Sequence, residues 1–160
     1  LVAELLAEHN LHPSTITLEI TESVAMQNTE ETIARLEALK ELGVHLAIDD
    51  FGTGYSSLSY LQRFPIDILK IDRSYTSAAS SAPLVQLIFD TGHLLGATIT
   101  PEGIETAEPA SALTGMGTDE LQGYLYGRPQ PPDQLARDEA TGSSGPSAAR
   151  SVKPGPSTAD

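Results

Sequence analysis

The chain has 160 residues, with 22 Asp plus Glu against 9 Lys plus Arg and a formal charge of −13, which excludes a nucleic-acid groove reader working by bulk positive charge. It has no cysteine, which excludes a disulfide framework, a thiolate metal site and a cysteine nucleophile and suits a reducing compartment. No apolar run approaches the roughly 18 residues that cross a bilayer, and no basic-then-apolar leader opens the chain. We therefore expect a cytoplasmic chain without direct membrane contact, whose parent could be membrane-attached through other domains.

Leu1 to Glu8 reads as an amphipathic helix that starts in mid-element, as expected of a piece of a longer protein. Five strands follow: Thr15 to Ile20, Val44 to Asp49, Ile66 to Ile71, Ala97 to Pro101 and a short one at Glu120 to Gln122. Between the first two lies a helix with Asn28 as cap, Glu31 three residues on, Ile33, Leu36, Leu39 and Leu42 on one stripe, and Gly43 as its stop. Weaker helices fit Ser56 to Arg63, Pro83 to Leu95, Thr106 to Gly115 and Pro132 to Arg137. Residues 138–160, rich in Gly, Pro, Ser, Ala and Thr, read as a disordered tail. The folded body, 1–137, keeps 19 acidic and 7 basic residues. Its alternation of strands and helices predicts α/β architecture with a mainly parallel sheet.

Side chains alternate across a strand, so parity separates two faces. Ile16, Leu18 and Ile20 oppose Glu19, and Leu46 and Ile48 oppose Asp49. Leu69 and Ile71 oppose Lys70, Ile99 opposes the face continued by Glu102, and Leu121 opposes Gln122. Bulky aliphatics on one face and polar groups near the carboxyl ends on the other suit a parallel barrel, whose active sites lie at those ends. A doubly wound open sheet is the alternative. Any one such carboxylate, taken singly, is usually just a helix cap or a solvated loop residue. Glu19, Asp49, Asp50 and Glu102 together repel one another, and a hard divalent cation, Mg²⁺ or Mn²⁺, is the ordinary compensation. Lys70 is the one cation among them, suited to orienting a water or a phosphate oxygen.

LEITES (Leu18 to Ser23), DDFGTGYSSL (Asp49 to Leu58), LKIDRS (Leu69 to Ser74), EGIET (Glu102 to Thr106) and LQGYLYGRP (Leu121 to Pro129) resemble, in order and spacing, the motifs of the EAL-domain phosphodiesterases. The resemblance implies a TIM-barrel-like (β/α)8 fold, incomplete at its N-terminus with about five βα units present, over residues 1–137. It further implies hydrolysis of cyclic di-GMP to linear pGpG with two Mg²⁺ or Mn²⁺ ions. By carry-over, Glu19, Asp49, Asp50 and Glu102 are metal ligands, and Lys70, Glu102, Gln122 and Glu105 are catalytic. Glu22 fastens the loop from Phe51 to Ser57, and the DFGTGYSS segment makes homodimer contacts in a complete domain. Other readings stand beside these: Gly52 and Gly54 as turn glycines, Glu105 and Glu108 as first-turn acids, His93 as a packed or surface histidine, Arg128 as a solvated loop residue.

The resemblance has gaps. A barrel of this kind takes about 250 residues, and the family's Glu-Ala-Leu glutamate and a following metal-binding asparagine have no match here. Glu37-Ala38-Leu39 spells the letters inside the capped helix, Asn10 and Asn28 sit at a helix end and a cap, and Pro101 stands where a small residue is usual. The isolated chain is therefore expected to be inactive by itself. A non-catalytic cyclic di-GMP binding or protein-interaction module is the alternative function.

Overall fold

The computed structural model describes residues 1–27, 29–53, 61–76, 82–131 and 133–134. In chain order these form helix α1 (Val2–Glu8), a 3-10 turn (Pro13–Thr15), strand β1 (Thr17–Thr21), helices α2 (Glu22–Ala25) and α3 (Thr29–Glu41), and strands β2 (His45–Phe51) and β3 (Ile68–Ile71). Helices α4 (Arg73–Thr76) and α5 (Ala82–Leu94), strand β4 (Thr98–Pro101) and helix α6 (Ala107–Gly115) complete the fold.

The four strands are parallel and follow the chain, β1-β2-β3-β4, across the sheet. Sequential order is how a βα barrel winds, whereas a doubly wound sheet reverses direction at a switch point. The described strands thus form part of a barrel-type sheet. Parity places the core as expected: Leu46, Ile48, Leu69, Ile71 and Ile99 are at most 1% exposed. They pack in one cluster with Ile33 and Leu36 of α3, Val85, Ile88 and Phe89 of α5, and Ala110 and Leu113 of α6. Helix α3 stops where expected, with Gly43 at φ +90 and its N–H on the Lys40 carbonyl at 2.8 Å. Glu37-Ala38-Leu39 lies inside α3.

Several boundaries differ from the sequence expectation, each for a local reason. The first strand begins at Thr17 rather than Thr15, because Pro13 and a His12 side chain that accepts the Ser14 N–H wind one 3-10 turn through Thr15. The third begins at Ile68 rather than Ile66, since the Ile66 N–H turns back to the Phe64 carbonyl at 2.9 Å. The fifth is a single bridge at Gln122, whose N–H reaches the Pro101 carbonyl at 3.0 Å while its own carbonyl accepts from Ile104 at 3.1 Å. The one-turn helices α2 and α4 were not anticipated. Asn28, most of the expected Ser56–Arg63 and Pro132–Arg137 helices, and the tail lie outside the described residues.

Candidate metal centre

Each strand delivers its polar side chain at the carboxyl end. Adjacent residues of a regular strand point to opposite faces, so Asp49 and Asp50 could not share a site on a regular β2. A register irregularity between Ile48 and Phe51 and a left-handed Asp50, φ +55, break that alternation. Aspartate is among the few non-glycine residues that tolerate this region. Asp49, Asp50 and Glu102 consequently bring carboxylate oxygens within 4.8 Å of one another. Three hard oxygen donors at that spacing suit a hard divalent cation, so the residues present fit a divalent metal ion.

Lys70 enters this cluster from β3. Its side chain is 7% exposed, and its Nζ lies 2.7 Å from Glu102, 2.9 Å from Glu19 and 3.4 Å from Asp49. Burial by itself would lower the lysine pKa, but hydrogen bonds to Glu102 and Glu19 and the field of Glu102 and Asp49 outweigh it, so the net shift is upward. The ammonium stays charged at neutral pH. The Glu102 carboxyl is pushed up by burial first, against the pull of Lys70, with the negative charges of Asp49 and Glu19 adding to the rise. Charge balance here is incomplete, with one ammonium facing several carboxylates, and a divalent cation would complete it.

The loop after β2 is held from below. Glu22, 1% exposed at the start of α2, accepts the Gly52 N–H at 2.7 Å. Gly52 itself sits at φ +101, where glycine is the unstrained choice. The structure does not bring Glu105 into the carboxylate cluster: it is exposed and lines a groove with Asp72, Arg73 and Glu108. Gln122 is exposed, its backbone fixed between Pro101 and Ile104. Pro101 closes β4 where no ladder N–H is needed and offers its carbonyl to Gln122. His93 pairs with Asp119 at 2.9 Å, and Arg128 stacks on the Tyr124 ring at 4.4 Å. The dimer segment is described only to Thr53. Sequence reasoning passed over Tyr75 and Thr76 on α4, whose hydroxyls donate to the carbonyls of Gly52 and of Glu102. No periodic signal marks them, because the contacts join a single helical turn to backbone just past the ends of β2 and β4.

The EAL domain family model matches residues 1–129. The bifunctional diguanylate cyclase/cyclic di-GMP phosphodiesterase MucR of Pseudomonas aeruginosa is 44% identical over 138 residues, covering 84% of this chain and 20% of that protein. The chain thus spans about a fifth of that curated relative's length. A solved PaMucR phosphodiesterase in complex with c-di-GMP superimposes with a TM-score of 0.81, covering 84% of this chain and 56% of that one. The EAL domain of Mycobacterium smegmatis DcpA is 39% identical with a TM-score of 0.81, covering 88% and 65%. A manganese and cyclic di-GMP complex of Klebsiella pneumoniae BlrP1 is 33% identical with a TM-score of 0.74, covering 80% and 34%.

Proposed function

Because the chain belongs to the EAL domain family, we propose that it is part of a cytoplasmic, metal-dependent phosphodiesterase that hydrolyses cyclic di-GMP to linear pGpG in bacterial second-messenger signalling. The observation that carries this reading is the trio Asp49, Asp50 and Glu102, with oxygens within 4.8 Å of one another and the Lys70 ammonium 2.7 Å from Glu102. Asp49, Asp50, Glu102 and Glu19 would hold Mg²⁺ or Mn²⁺. When bound, such ions supply Lewis acidity and offset the charge of the phosphodiester. Lys70, kept cationic by its carboxylate partners, orients a water or holds a phosphate oxygen. Gln122 offers a neutral amide, and Glu105 is a second acid three residues after Glu102. Through the Gly52 N–H, Glu22 fixes the loop that follows Asp49 and Asp50. The DFGTGYSS loop is assigned to homodimer contacts.

The chain's net charge of −13 does not forbid an anionic substrate, since salt screens exposed carboxylates beyond about 10 Å. The test uses the full-length protein with Mn²⁺ and cyclic di-GMP. Release of pGpG that falls on the order of 100-fold or more in Lys70→Ala, as expected for loss of a positioned charge, supports the proposal. Tight binding without turnover would instead assign the non-catalytic module.

A further inference from the structure

We infer that Tyr75 and Thr76, on the single-turn helix α4, are positioning residues that hold the two carboxylate-bearing segments of the metal site in register with each other; this rests on the metal-dependent reading above. Asp50 occupies the left-handed region at φ +55. Such a conformation costs a non-glycine residue free energy and persists where surrounding contacts over-determine it. Asp50 has such contacts. The Asp50 N–H bonds the Asp49 carboxylate at 3.0 Å, the Asp50 carbonyl accepts the Thr53 hydroxyl at 2.9 Å, and Gly52, two residues on, is gripped at both backbone polar groups. Its N–H goes to Glu22 at 2.7 Å and its carbonyl accepts the Tyr75 hydroxyl.

The Tyr75 ring is pressed on the same residue, for a Cβ built on Gly52 would lie 2.6 Å from ring atom Cε2. One residue later, the Thr76 hydroxyl lies 3.0 Å from the Glu102 carbonyl and 3.1 Å from its own turn's Arg73 carbonyl, its one proton shared between them. Helix α4 follows directly on β3, which carries Lys70. A stretch of seven residues, 70–76, therefore touches the carboxylates of Glu19, Asp49 and Glu102 through Lys70 and the backbones behind Asp50 and Glu102 through Tyr75 and Thr76. Groups that orient metal ligands from behind are worth about 10- to 100-fold in metal affinity.

The test compares the full-length protein with Tyr75→Phe and Thr76→Val, which keep ring and side-chain volume and remove only the hydroxyls. Two readouts are taken: Mn²⁺ affinity by electron paramagnetic resonance without substrate, and native-state hydrogen exchange without metal. Tyr75→Phe is expected to speed exchange across residues 50–53, Thr76→Val across 102–104, and each to weaken Mn²⁺ binding about tenfold, with the global unfolding midpoint unchanged. Unchanged exchange, or unchanged Mn²⁺ affinity in a wild type that binds the metal, overturns the inference. A wild type that neither binds Mn²⁺ nor hydrolyses cyclic di-GMP overturns the function proposed above, and the exchange rates alone then decide whether the clamp exists.

Discussion

Lys40 holds Asp67 with its ammonium 2.6 and 2.8 Å from the two carboxylate oxygens, and the same carboxylate accepts the Leu46 N–H at 2.8 Å. Asp67 shares the strand parity of Leu69 and Ile71, and there it meets α3, which packs on that aliphatic face. It closes the amino end of β2 and ties α3 to β3. Burial would raise its pKa, but the hydrogen bonds from Lys40 and Leu46 and the charges of Lys40 and His45 win, so the net shift is downward. A depressed carboxyl contributes stability that is present above the unfolded value, about 3.9, and lost as pH falls through the folded value. Asp67→Asn is accordingly expected to cost about 1 kcal/mol near pH 7, the pair being partly solvated. Urea titrations should show the gap from wild type closing below about pH 3.9. A constant gap at all pH values would refute the charge-based account. Lys70, by contrast, could be named as the lone cation from sequence, but which carboxylates it touches could not, since Glu19 lies 51 positions away along the chain.

Elements were legible where a period repeats and illegible where a single hydrogen bond decides. The α3 stripe and the β2 and β3 alternations extend over enough residues to be read, whereas the fifth strand shrinks to one bridge at Gln122 because the Asp119 and Glu120 N–H groups converge on the single carbonyl of Ile99. Packing at that bridge is tight. A Cβ on Gly123 would fall 2.2 Å from the Ile104 backbone nitrogen and oxygen, and these cannot move without breaking the bonds of the Ile104 N–H to Gln122 and of the Ile104 carbonyl to the Leu125 N–H. On α5, a Cβ on Gly92 would meet the Ile99 Cδ1 at 2.2 Å, but that atom is the far end of a flexible side chain. Gly123→Ala is thus expected to destabilise by about 2 kcal/mol. Gly92→Ala should change stability by under about 1 kcal/mol, overpacking being partly offset by alanine's helix preference. Thermal unfolding of the two variants checks the order, and a reversed order would show that Ile99 cannot give way.

Across the whole molecule, the described sheet has β1 paired only with β2, so one row of its backbone groups is free to pair with another strand. The matched structures are longer, the chain covering 56% of one and 65% of another. Expressed by itself, the 160-residue chain is expected to self-associate in light scattering and to release no pGpG above background, while the full-length protein does. A monodisperse, active fragment would mean that the carboxylates described here suffice. Among the described residues no helix is long and apolar enough to cross a membrane. From its residues alone the chain determined its class, its core and the set of polar residues at its strand ends, because alternation and motif spacing are local properties that every strand repeats. Tertiary structure decided which of those residues meet. The left-handed Asp50 that swings two neighbouring carboxylates to one side, the separation of Glu105 from Glu102, and the grip of α4 on two distant loops depend on contacts between segments far apart in sequence, which no local pattern encodes.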